Sequence, residues 1–141
     1  MKIVVDASMA LAWLFERAET KEIACAEQAL TALADAEISV VPMLWHTEIA
    51  NALLIAERRK VVTEAQVIDY LNKLSKLSIE NDDMSPETRR DAVMALAREH
   101  KLTAYDATYL ELALRIGGVL ATFDRALVDA MRCAGGSVFG Q

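Results

Sequence analysis

Lys2-Ile3-Val4-Val5-Asp6-Ala7-Ser8 opens the chain with an apolar, β-branched run that stops on a carboxylate. An unbroken run of this kind, without polar alternation, reads as a strand over 2–6 buried on both faces, as in a parallel sheet. Val119-Leu120-Ala121-Thr122-Phe123 repeats the arrangement near the other end and stops on Asp124. Between them, Ile38-Ser39-Val40-Val41 reads as a second short strand ended by Pro42, and Leu77-Ser78-Ile79-Glu80 as an outer one. Ser137-Val138-Phe139 completes the strands.

Helical patterns fill the gaps, at about 9–15, 20–34, 43–60, 64–77, 86–100, 104–115 and 125–133. Ser85-Pro86-Glu87 makes a well-formed start, with a capping residue, proline in the first turn and an acid facing the helix dipole. Gly117-Gly118 makes an equally clear stop. Strands alternating with helices predict an α/β layer fold around a mainly parallel sheet. At 141 residues and 54% hydrophobic content, the expectation is one domain over 1–141 with a sizeable core.

Composition narrows the function. Fifteen basic residues against 21 acidic ones leave a net charge of −6, which disfavours broad, nonspecific attachment to nucleic acid. An enzyme of nucleic acid stays open, because metal ions reverse the local field of an acidic site. No apolar run approaches the roughly 20 residues that span a bilayer. The opening lacks the pattern of a signal peptide, so the expected location is cytoplasmic, with no membrane partner. Cys25 and Cys133 are expected to be buried thiols in helices, and two histidines, His46 and His100, do not make a zinc site.

Four acids draw attention together. In parallel α/β sheets, ligands bind beyond the carboxyl ends of the strands, where Asp6 and Asp124 fall. Glu48 lies in the first turns of the helix that leaves strand 38–41. Asp106 begins the helix that returns to strand 119–123, so its end also faces the carboxyl edge. Clustered carboxylates repel, and a hard divalent cation such as Mg²⁺ or Mn²⁺ is the usual remedy. Ser8, Asn51 and Thr122 are placed to support them. Asp35 and Glu37 precede a strand and belong at the opposite edge.

Each acid also has a plain structural explanation. Asp6 and Asp124 can cap the helices that follow them, Thr103-x-x-Asp106 resembles a capping box, and Glu48 can be an exposed helical acid. Independent caps have no reason to share an edge. His46 reads as an ordinary helix-start histidine. Arg58-Arg59-Lys60 reads as a helix end, Arg89-Arg90 similarly, and Arg125, beside Asp124, is the best-placed candidate for phosphate. Trp13, Trp45 and the methionines read as core.

Val4-Val5-Asp6-Ala7-Ser8 running into Ala12-Trp13-Leu14, then Glu48-Ile49-Ala50-Asn51-Ala52-Leu53, resembles the first half of a PIN domain. Tyr105-Asp106-Ala107-Thr108-Tyr109-Leu110-Glu111-Leu112-Ala113 and Leu120-Ala121-Thr122-Phe123-Asp124-Arg125-Ala126-Leu127 resemble its second half. The pattern is most similar to the VapC-type toxins of bacterial toxin–antitoxin pairs. The resemblance implies a three-layer α/β/α sandwich and a Mg²⁺- or Mn²⁺-dependent endoribonuclease that uses metal-activated water. It makes Asp6, Glu48, Asp106 and Asp124 the catalytic and metal-holding quartet, with Ser8, Asn51 and Thr122 in support. It also implies an RNA substrate, a homodimer and a cognate antitoxin whose tail occupies the acidic groove. A haloacid-dehalogenase-like, metal-dependent phosphatase is the enzyme alternative, but that family wants a second Asp where Ser8 stands. A receiver-like or noncatalytic PIN-like binding module is the alternative from another class.

Overall fold

β1 (Lys2–Val5) is the middle strand of a five-stranded sheet, and every pairing in that sheet is parallel. The protein is described by a computed structural model that covers all of Met1–Gln141. On one side β1 pairs with β2 (Ile38–Val41) and, beyond it, β3 (Glu80–Asn81). On the other side it pairs with β4 (Val119–Ala121) and then β5 (Ser137–Val138). The chain thus leaves β1 in one direction and later returns to its other flank. That reversal opens a crevice between the carboxyl ends of β1 and β4, the switch point where α/β sheets bind ligands.

Register decides what faces that crevice. Val5 stands opposite Ala121, so the next residues, Asp6 and Thr122, leave the sheet side by side. The three β-branched residues of β1 are buried to 1% exposure or less. A strand covered on both faces needs apolar side chains in both directions, which is why its sequence does not alternate.

Seven helices cover the sheet as a three-layer α/β/α sandwich, as the sequence predicts. They are α1 (Ala7–Leu11), α2 (Thr20–Asp35), α3 (Leu44–Arg58), α4 (Glu64–Ser75), α5 (Pro86–His100), α6 (Ala104–Ile116) and α7 (Arg125–Cys133). In α3 the buried residues Trp45, Ile49, Leu53 and Ala56 form one stripe, and this stripe fixes the helix's rotation and with it the direction of Glu48. α6 is buried nearly all round from Tyr109 to Ala113, because it packs on both the sheet and α5. It ends at Gly117, whose φ of +65° suits glycine at a left-handed cap.

A second polar feature ties the outer strand to the helices. Asp82, directly after β3, is buried and accepts from Arg89 of α5 and, at 2.6 Å, from Arg115 of α6. Arg115 also reaches Glu111 at 2.8 Å. Burial favours a neutral Asp82, but the Arg115 and Arg89 guanidiniums and the Met84 backbone N–H outweigh it and hold the carboxyl below its usual range.

Several expectations need correction. The helix expected over 9–15 is regular only over Ala7–Leu11 and continues as turns. The outer strand lies later than 77–80, because Leu77 and Ile79 turn back on their own backbone and leave Glu80–Asn81 to pair with β2. Cys133 is exposed and Cys25 is half-buried, so they are not buried thiols; both are free. Arg89 is buried against Asp82 rather than presented at a helix surface. Trp13 is half-buried, Met43 and Met94 are exposed, and Trp45 is core. No helix is long and apolar enough to cross a membrane.

Candidate active site

Asp6 sits at the N-cap position of α1, yet its side chain caps nothing. Its Oδ2 instead accepts the Ser8 hydroxyl at 2.6 Å and the Thr122 hydroxyl at 2.7 Å. Capping therefore does not explain this residue. Ser8 Oγ also accepts the Phe123 backbone N–H at 3.0 Å, and Thr122 Oγ1 accepts that of Asp124 at 3.0 Å. Two hydroxyls thus join the end of β1 to the segment after β4. Both land on one oxygen of Asp6, and no side chain donates to the other.

Asp124 does cap, accepting the Leu127 backbone N–H at 2.9 Å through Oδ1. That bond anchors the carboxylate at the start of α7 and leaves Oδ2 without a hydrogen-bonding side chain. Thr103 caps α6 by accepting the Asp106 backbone N–H at 3.1 Å. The reciprocal backbone bond of a full capping box is absent, and the Thr103 hydroxyl is the one group that lowers the pKa of the Asp106 carboxyl. Glu48 is half-buried on α3, where Oε1 accepts the Tyr109 hydroxyl at 2.5 Å.

The four acids feel one another. Burial raises the pKa of Asp6 above the usual carboxylate value; Ser8 and Thr122 oppose that rise, and the charge of Asp124 adds to it. Burial likewise raises Glu48, against the Tyr109 hydrogen bond, with the charges of Asp6 and Asp106 adding further. Asp106 is raised by burial and then by Asp124 and Asp6. None of the four enters a salt bridge with Lys, Arg or His. Asp82, equally acidic and buried, has two arginines and shifts the other way. The edge between β1 and β4 therefore carries negative charge that no protein cation neutralises.

The donor set suits a hard divalent cation: carboxylate and hydroxyl oxygens, with one oxygen on each of Asp6 and Asp124 to which no side chain donates. No three acidic, histidine or cysteine side chains converge closely enough to form a ready-made cage. Mg²⁺ does not require one, since it keeps several waters and takes one or two carboxylates together with substrate phosphate.

The other candidates make no hydrogen bond or salt bridge to the four acids. Asn51 is exposed and makes no direct hydrogen bond to any of the four acids. His46 bonds Asn81 at 2.6 Å. Arg125 is exposed at the first position of α7, and Arg58, Arg59 and Lys60 are exposed at the end of α3. Glu37 donates its backbone N–H to the Met1 carbonyl, at the amino edge. Sequence reasoning gave no role to Tyr109, although its position one turn after Asp106 puts it on the same face of α6. It also missed Arg17, which lies 4.5 Å from the centre of the Phe123 ring and pairs with Glu22 at 3.0 Å. Arg17 lines a groove of about 480 Å³ that reaches Ser8.

A crevice at the strand switch, edged by acids from four separate segments, defines a class of protein that comparison bears out. Residues 3–131 match the PIN domain family, and the chain belongs to it. Ribonuclease VapC3 of Pyrobaculum aerophilum is 37% identical over 133 residues, which cover 92% of this chain and 94% of that protein. The crystal structure of PAE2754, also from Pyrobaculum aerophilum, superposes with a TM-score of 0.69 at 29% identity. That match covers 92% of this chain and 84% of the other. FitAcB from Neisseria gonorrhoeae shares the fold, with a TM-score of 0.64 at 15% identity over 98% and 96% of the two chains.

Proposed function

We propose that this chain is an endoribonuclease dependent on Mg²⁺ or Mn²⁺, acting as the toxin of a toxin–antitoxin pair. The observation that carries the reading is the uncompensated negative edge: Asp6, Glu48 and Asp106 all have raised pKa values and none has a cationic partner. Similarity to a protein named as a VapC ribonuclease supplies the substrate class. The working unit is one nuclease domain over 1–141, active in the cytoplasm.

Asp6 and Asp124 are the residues to hold the ion most rigidly, one leaving a strand end and the other anchored at a helix start. Glu48 and Asp106 complete the edge, and Ser8 and Thr122 keep Asp6 oriented. Asn51 can join through water. When bound, the ion polarises the phosphoryl oxygen and lowers the pKa of a bound water. The chain's own part is to bind RNA with the scissile phosphate at this edge and to accept protons at a carboxylate that the ion leaves free. A hydroxyl or thiol nucleophile activated by histidine is not assembled here, which favours direct hydrolysis over a covalent intermediate.

The same charge distribution supplies a means of inhibition. An antitoxin tail carrying Arg or Lys can pair with these carboxylates and so exclude both ion and RNA. The toxin is taken to be a homodimer. Purified protein incubated with RNA and Mg²⁺ or Mn²⁺ should cleave it, and a chelator should stop cleavage. Cleavage that survives chelation, or persists in full in Asp6→Asn, overturns the metal-dependent reading. Coexpression with the product of the neighbouring gene tests the antitoxin; inhibition indifferent to Glu48→Gln and Asp106→Asn overturns the groove-plug arrangement.

A further inference from the structure

Tyr109 is fully buried in α6, one turn beyond Asp106. Its hydroxyl donates to Oε1 of Glu48 at 2.5 Å across 61 residues, joining α6 to α3. This is the one hydrogen bond to a side chain that Glu48 makes. A half-exposed glutamate on a helix has three side-chain torsions and samples several rotamers. A bond to an immobile phenol selects one of them. Because the phenol occupies Oε1, Oε2 remains for the edge shared with Asp6 and Asp106.

Packing alone does not call for this hydroxyl. Phenylalanine would fill the same space, and a buried hydroxyl is unfavourable unless it finds a partner. Tyr70 offers a comparison within the chain: it is also buried, but its hydroxyl donates to the Ala10 carbonyl at 2.6 Å, a backbone partner. Tyr109, which also meets the Ala7 backbone N–H, donates to a carboxylate at the acidic edge.

We propose that Tyr109 is a positioning residue, whose hydroxyl holds Glu48 with one carboxylate oxygen free and thereby sets the affinity of the edge for Mg²⁺ or Mn²⁺. The inference rests on reading that edge as a divalent-cation site, and its test separates the two. Metal-free protein is titrated with Mn²⁺, and the loss of the free-ion signal in electron paramagnetic resonance gives the affinity. Wild type, Asp6→Asn, Tyr109→Phe and Tyr70→Phe are compared.

Tyr109→Phe keeps the ring and its packing and should weaken Mn²⁺ binding by about tenfold or more, the usual effect of losing a group that orients a ligand. Tyr70→Phe, which removes a buried phenolic hydrogen bond away from the acids, should bind as wild type does. Combined with Glu48→Gln, Tyr109→Phe should add little further loss, because the carboxylate it orients is gone. Wild-type affinity in Tyr109→Phe, an equal loss in Tyr70→Phe, or additive losses in the double variant overturns the positioning role. Failure of wild type to bind Mn²⁺, or undiminished binding by Asp6→Asn, overturns the metal site itself.

Discussion

The Thr122 hydroxyl donates to Oδ2 of Asp6 at 2.7 Å across 116 residues, and its own Oγ1 accepts the Asp124 backbone N–H at 3.0 Å. One hydroxyl therefore orients one acid and anchors the backbone of another. Parallel pairing of Val5 with Ala121 makes this possible by bringing Asp6 and Thr122 level.

Thr122→Val retains the shape and removes the hydroxyl. It leaves the Asp124 N–H unpaired and Asp6 with only Ser8 as a side-chain donor. Unfolding by urea should show a loss of about 1–3 kcal/mol. RNA cleavage should fall by about tenfold or more, as for other groups that orient ligands.

Asp6→Asn should remove at least about a hundredfold of the RNA cleavage, because the amide keeps the size but lacks the charge that a divalent ion requires. The metal-free variant should nevertheless melt slightly above wild type, since one source of repulsion at the edge is gone. Circular dichroism checks the fold and the melt. A variant that is both inactive and unfolded would count against a ligand role.

The pH dependence of the metal-free protein has a definite sign. Burial and then neighbouring carboxylates raise the folded-state pKa of Asp6, Glu48 and Asp106 above their ordinary values of 3.8, 4.5 and 3.8. The folded state therefore holds protons that the unfolded chain has released, and unfolding free energy falls as pH rises. This contribution is complete below the ordinary values and is lost as pH passes through the raised ones. Asp82 has a lowered pKa and works oppositely, losing its contribution as pH falls. Comparison of wild type with Asp6→Asn at matched pH cancels Asp82. Calorimetry should show the stability of the metal-free wild type declining more steeply from acid toward neutral pH than that of Asp6→Asn.

Asp82→Ala should be among the most damaging single changes outside the edge. It strands Arg89 and weakens the hold on Arg115 in a buried network, and breaking such a pair costs about 3–5 kcal/mol. Denaturant titration measures the loss. Mn²⁺ affinity measured where the variant is still folded should stay near that of wild type.

Asp35→Asn should leave cleavage within about twofold of wild type. Asp35 closes α2 just before β2 begins, so it belongs at the amino edge, far from the crevice where the ion is expected. A loss comparable to that of Asp6→Asn in the same assay would contradict this placement.

The sequence by itself determined the inner strands and most helices, and marked the four acids as candidates, because these are matters of local chemistry. Ile3, Val4 and Val5 cannot serve an exposed loop economically, Gly117 marks a helix end, and the carboxylates that end the inner strands, Asp6 and Asp124, fall at the carboxyl edge of a parallel sheet. Only the tertiary structure decided which oxygen each acid has free, since that depends on partners far away in the chain: Thr122 for Asp6, Tyr109 for Glu48. It also separated Asp82 from the other acids, because only in three dimensions do Arg89 and Arg115 converge on it, and it turned Cys133 outward and left Asn51 without a partner. Periodicity tells which face of an element is buried, but hydrogen bonds depend on register, helix rotation and side-chain reach to within about half an ångström. Those quantities arise when the layers pack, and no local stretch of this chain contains them.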